Sequence, residues 1–151
     1  MKDYSLEYDF LEANKHGTIA ERLYHYYRVN NMVKMINKKN LKILDIGCGT
    51  GILFEYLCEG NFLVGIDLSK WCIFKAKRYA KKAGLKPRLI VANIFNIPLK
   101  ENTFDLIILS GVIEHLRSNP KTITGVLSRL LKKDGKILVS LPYSSPFNPL
   151  S

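Results

Sequence analysis

Two carboxylates and three glycines are the residues here whose types and spacing could do chemistry. Residues 44–51 read LDIGCGTG, with Asp45 just ahead of Gly47, Gly49 and Gly51. Glycine costs conformational entropy, so this density needs a backbone reason or a ligand reason. The spacing G-x-G-x-G departs from the dinucleotide fingerprint G-x-G-x-x-G, because Ile52 stands where its third glycine belongs. A phosphate loop fails as well, since no Gly-Lys-[Ser/Thr] follows. Asp45 would gain a pyrophosphate nothing, whereas a ligand with a positive group suits a loop that carries its own carboxylate. Redox dinucleotides therefore rank lower. Asp67 ends the next apolar run, twenty residues past Gly47, where an acid can accept both hydroxyls of a ribose. The pair predicts a ligand with a nucleoside at one end and a cation at the other.

The surrounding pattern shows what must position these groups. Thr18-Ile19-Ala20-Glu21 has the form of a capping box. Ile19, Leu23, Tyr26, Val29, Val33 and Ile36 then recur at helical period, predicting one buried stripe. Leu41–Ile46 reads as a strand, Ile52–Leu57 as a short helix, and Phe62–Ile66 as a second strand ending at Asp67. Ser69 can cap a helix with Ile73, Ala76, Ala80 and Ala83 inside and lysines outside, stopped by Gly84 and Pro87. Arg88–Ala92 is a third strand, and Phe104–Leu109, apolar nearly throughout, a fourth that is buried on both faces. Asn119 and Pro120 can start a helix carrying Ile123, Val126, Leu127, Leu130 and Leu131. Lys132-Lys133-Asp134-Gly135 would end it, and Lys136–Leu141 is the fifth strand. This alternation predicts an α/β, Rossmann-like, doubly wound and mostly parallel sheet with helices on both faces and an N-terminal helical extension. Ligands of such sheets sit outside the carboxyl ends of the strands, which is where LDIGCGTG lies.

At 151 residues, 47% of them hydrophobic and 24% charged, the chain is expected to form one globular unit. No run approaches the ~18 apolar residues of a membrane span, and Met1-Lys2-Asp3-Tyr4 opens no signal peptide, so a cytoplasmic location is expected. Cys48, Cys58 and Cys72 lack C-x-x-C spacing, so they predict no disulfide framework and no metal site. The formal charge is +10, and Lys70 to Arg88 holds eight basic residues and no acid. That run reads first as a solvated helix face, and otherwise as a patch for nucleic acid, anionic lipid or an acidic partner.

With these residues in place, the chain resembles the class I S-adenosylmethionine-dependent methyltransferases. The resemblance is carried by LDIGCGTG (44–51), GIDLS (65–69), NIFNIPLKENTFDLIILSGVIEHL (93–116) and LLKKDGKILVSLP (130–142). It implies an S-adenosylmethionine-binding core over 41–142, an N-terminal helical cap or lid over 1–40, and a tail over 143–151. It implies backbone at Gly47, Cys48 and Gly49, in the loop that Gly51 completes, passing close to the methionine part of the cofactor, with Asp45 helping to hold its ammonium. Asp67 would take the ribose hydroxyls and Leu68 the adenine face. The Asn93 side chain and the Ile94 backbone would meet the adenine edge. The Ser110 carbonyl would cap the amino group, and His115 would line the sulfonium side. Asn93 departs from the acid more usual there, but its amide oxygen can still accept a hydrogen bond.

A methyl on a sulfonium is already activated, so a site of this kind must chiefly align the acceptor and exclude water. No catalytic residue is assigned. Glu114-His115 could suggest a base, yet the resemblance implies that it shapes the cofactor pocket. His16, Tyr24, His25 and Tyr26 are further candidates on the N-terminal segment. Adenine amino-group methylation would need [Asn/Asp]-Pro-Pro-aromatic where this chain has LSGVIEH, and C5 methylation of pyrimidines a cysteine beyond residue 72. Nucleic-acid acceptors of those two kinds are thus not expected. What remains is methyl transfer to an O or N atom of a small-molecule, sugar or lipid-linked acceptor. The alternative is a non-catalytic cofactor-binding subunit or scaffold for a partner enzyme. Relatives usually continue past the fifth strand, so Ile137–Leu141 is expected to be covered by a second copy, another subunit or the tail.

Overall fold

The computed structural model describes residues 9–36, 39–116 and 118–141. The expected tail at 143–151 lies outside them. Five strands form one sheet: β1 (Lys42–Ile46), β2 (Phe62–Asp67), β3 (Arg88–Val91), β4 (Phe104–Ser110) and β5 (Leu131–Ser140). Their order is β3-β2-β1-β4-β5 and every pairing is parallel. The chain winds outward from β1 to β3, then returns to place β4 on the other side of β1. The switch point therefore falls between β1 and β4, beside the glycine loop.

Alternation along the strands sorts the core into two layers. Ile43, Leu106 and Ile108 pack with residues of α2 (Ile19–Met35), α3 (Phe54–Leu57) and α4 (Lys70–Lys82). Leu44, Ile46, Ile107 and Leu109 face the other way, onto Ile123, Leu127 and Leu130 of α5 (Pro120–Leu130). Burial on both faces explains the nearly continuous apolar run of β4. The helix starts follow the expected local chemistry. Thr18 and Glu21 form the reciprocal capping box of α2, Ser69 Oγ accepts from Cys72 N–H, and Asn119 accepts from Lys121 N–H.

Three expectations are corrected. The buried stripe of α2 is His25, Val29 and Met32, while Ile19, Leu23 and Tyr26 are 77%, 49% and 60% exposed. The helix buries a face only from His25 onward, so the helical period of its first turns has no covered face. Ala83, expected inside α4, is exposed at its end. Finally, Lys132-Lys133-Asp134-Gly135 does not cap α5 but forms an irregularity in β5, whose pairing jumps from Leu131 opposite Phe104 to Lys136 opposite Leu106. Lys132 Nζ lies 2.6 Å from Asp105, which also accepts the Lys42 N–H at 2.8 Å. A Cβ on Gly135 would sit 3.0 Å from the carbonyl oxygens of both Lys132 and Phe104, a tight fit that favours glycine at the bulge.

Candidate functional site

The glycine loop is built from within. Gly47 N–H and Cys48 N–H both donate to the Ile66 carbonyl at 2.8 and 3.0 Å, drawing the loop over the tip of β2. Gly51 N–H donates to Cys48 C=O, and Phe54 N–H to Gly51 C=O, both at 3.0 Å. Gly47 has φ +69° and a Cβ there would lie 2.4 Å from Val112 Cγ2; Gly51 has φ +100° and its Cβ would strike the Phe54 ring at 2.6 Å. Both positions disfavour other residues by conformation and by space. The first of these contacts packs the β4–α5 connection against the loop across the switch point.

Asp67 does more than end β2. Its Oδ2 accepts Gly49 N–H at 2.9 Å and its Oδ1 accepts Ser69 N–H at 2.8 Å. A carboxylate has about four acceptor sites, so two remain for hydroxyls of a ligand. The amides of Gly47, Cys48, Gly49 and Gly51 are thereby all committed inside the protein. A phosphate cradle needs such amides pointing at the ligand, and these do not supply one.

Asp45 lies in β1 on the same face as Ile43 and is 2% exposed. Burial, and then the Asp67 charge, push its carboxyl up to about 7, against the pull of Arg28. A ligand ammonium nearby would restore the charged form. Arg28, on α2, was not foreseen. Its Nη1 reaches within 3.3 Å of the point a Cβ on Gly111 would occupy, and its guanidinium lies 5.6 Å from the Tyr24 ring centre. It brings a cation from the N-terminal helix to the tip of β4. The only sequence signal was an arginine one turn past His25 on the inward side of α2, too weak to single out.

The remaining expected residues fall along the same carboxyl edge. Register places Asp67 opposite Val91 and Ser110 opposite Ser140. Leu68 is 60% exposed, free to cover a flat ring. Asn93 is exposed, and its Oδ1 accepts Phe95 N–H at 3.0 Å, bending the chain after β3, while the Ile94 side chain is buried in the α5 layer. Ser110 Oγ is buried with no hydrogen-bond partner among the described residues, an orphaned polar atom at the switch point. His115 is exposed on the short turn Ile113–His115. Among the N-terminal candidates, His25 is 3% exposed and burial, with Arg28 beside it, lowers it to about 4, so it is neutral at neutral pH. His16 lies on α1 (Phe10–His16) with an open side chain, and Tyr26 is exposed on α2. Burial pushes the Cys48 thiol well above its ordinary value, so the loop cysteine acts as a small apolar residue. Among the described residues, no cluster of metal-binding side chains is present.

The donor set fits S-adenosylmethionine better than a dinucleotide: acids at both ends, loop amides already used, and an open apolar side chain beside Asp67. Comparison with known proteins agrees. Residues 44–139 match the family described as "Methyltransferase domain". The chain is 37% identical over 123 residues to the ubiquinone biosynthesis O-methyltransferase of Pelagibacter ubique, covering 81% of this chain and 50% of that protein. It is 36% identical over 106 residues to an uncharacterized protein of Methanocaldococcus jannaschii, covering 70% and 43%. A solved S-adenosylmethionine-dependent methyltransferase of Clostridium acetobutylicum has the same fold, with a TM-score of 0.65 at 24% identity over 85% of this chain and 53% of that one. The chain spans about half the length of the curated relatives it matches. Fold, loop and sequence together show that the chain belongs to the methyltransferase-domain family.

Proposed function

We propose that the chain binds S-adenosylmethionine at the carboxyl edge of β1, β2 and β4, and that it supports methyl transfer to an oxygen or nitrogen atom of a small-molecule, sugar or lipid-linked acceptor. The observation that carries this reading is the pair of carboxylates flanking a glycine loop whose own amides are committed. When bound, the cofactor supplies a methyl group on a sulfonium, which needs no further activation. The chain's part is to bind and orient. Asp67 takes ribose hydroxyls with its two remaining acceptor sites, and Leu68 covers the base. Asp45 faces the amino end, and Arg28 is placed to meet a carboxylate. Ser110 Oγ gains the partner it lacks. α2, closing over this end of the sheet, limits water.

An oxygen acceptor is favoured by the O-methyltransferase relative at 37% identity. The test incubates the chain with methyl-labelled cofactor and matched catechol, phenol and amine acceptors. Label on the hydroxyl compounds supports the reading. Label on the amines alone would overturn the oxygen preference. We also infer that β5, with Ile137 38% and Val139 41% exposed, is covered in solution. A monomeric mass with these residues open to solvent exchange would contradict that.

A further inference from the structure

We propose that the outer face of α4 is a docking surface for an anionic lipid bilayer. Lys70, Phe74, Lys77 and Lys81 recur at i, i+4, i+7 and i+11, so they form one stripe about 16 Å long. Cys72, Ile73, Ala76 and Ala80 hold the opposite face in the core. Arg78 flanks the stripe, and Lys86 and Arg88 extend the charge toward the sheet edge at β3; all are exposed. None of these cations is in an ion pair among the described residues, whereas Lys75, on the inner flank, is held 3.7 Å from Asp9. Phe74 is 57% exposed at the centre of the stripe.

Charge complementarity requires an anionic partner, and the shape selects which. Single-stranded nucleic acid is bound in grooves with open aromatic faces on which bases stack. Here the surface is the convex side of a helix. The Arg78 guanidinium lies 5.7 Å from the Phe74 ring centre, and Lys75 Nζ 5.2 Å from that of Trp71, so cations already occupy ring faces. A helix lying in a bilayer interface uses the same parts differently. The ring enters the headgroup boundary, the alkyl stems lie along it, and the charged ends meet lipid phosphates. The run that composition alone read as a solvated face thus acquires a specific geometry. This inference does not depend on the proposed methyl transfer, since it involves neither carboxylate nor the glycine loop.

The test sediments the full chain with phosphatidylcholine vesicles and with vesicles of phosphatidylcholine and phosphatidylglycerol. Binding is expected to the anionic vesicles only, and to weaken as salt is raised. Lys77→Glu with Lys81→Glu should lower the partition coefficient at least about tenfold. Phe74→Ala should lower it about threefold or more. Lys133→Glu with Lys136→Glu, which changes net charge equally on β5, should leave it unchanged. Three results would overturn the proposal: no vesicle binding by the wild-type chain, equal losses in the two charge-reversed pairs, or displacement from vesicles by a single-stranded RNA oligonucleotide. Unchanged thermal unfolding of each variant shows that the fold is intact.

Discussion

The two halves of the carboxyl edge are built differently. At the tips of β1 and β2, backbone amides and a carboxylate bond to one another, and two glycines sit where a Cβ would collide. At the tips of β4 and β5, Ser110 Oγ lacks a partner, and Ile137 and Val139 are open. A pre-ordered half suits a ligand that is always the same, because order paid for in folding is not lost again on binding. An open half suits a variable acceptor, or a surface completed by more protein.

The largest effect should come from Asp67, which holds the loop and, in the proposed site, takes the ribose hydroxyls. Asp67→Ala should weaken S-adenosylhomocysteine binding by about 1.5–3 kcal/mol, roughly ten- to 150-fold by calorimetry. Ser69→Ala is the contrast, since it removes only the α4 cap and should cost about 1 kcal/mol of stability with affinity unchanged. Equal affinity loss in both variants would mean that α4, not the carboxylate, carries the effect.

Gly47→Ala should cost about 1–3 kcal/mol in urea unfolding, from a left-handed backbone and the Val112 collision. Adding Val112→Ala should recover the steric part. Strict additivity of the two changes would show that this contact across the switch point does not matter.

Asp45 gives the comparison a pH dependence. With its carboxyl at about 7 in the free protein, it must lose a proton to meet an ammonium. Affinity should therefore fall as pH drops below that value, by up to about tenfold per pH unit. For folding the sign is opposite. A raised carboxyl contributes stability that is present below the ordinary carboxylate range and lost as pH rises through about 7. Asp45→Asn should flatten the binding profile and gain stability on the wild type at alkaline pH. A pH-independent wild-type affinity would place the ammonium elsewhere.

The smallest effects belong to the open half. Ile137→Thr should change stability by no more than about 0.5 kcal/mol at dilutions where the chain is a monomer. Leu138→Ala, one residue on but turned into the layer beneath α2, should cost about 1–3 kcal/mol at any concentration. The Ile137→Thr loss should grow as the chain is concentrated, and a loss that stays small at every concentration would contradict the inferred cover of β5.

How much of this could be read from the sequence follows the same division. Caps at Thr18, Ser69 and Asn119 are local chemistry, written in three or four adjacent residues, and all three form as read. The strands and their alternation with helices required only apolar runs and breakers. The outward half of α2 was misread because periodicity reports a stripe, not whether anything lies against it. The Lys132–Gly135 bulge was misread because lysines and a glycine suit a helix end and a strand irregularity equally. Arg28 and the second duty of Asp67 were not legible at all, since both are contacts between segments far apart in the chain.

The most direct test of the central claim is calorimetric titration of the 151-residue chain with S-adenosylhomocysteine at pH 8, where Asp45 is ionised. We expect one site per chain with affinity on the order of micromolar, weakened roughly ten- to 150-fold in Asp67→Ala. No heat of binding, or binding that Asp67→Ala leaves intact, would contradict it: the glycine loop would then hold the fold together without holding a ligand.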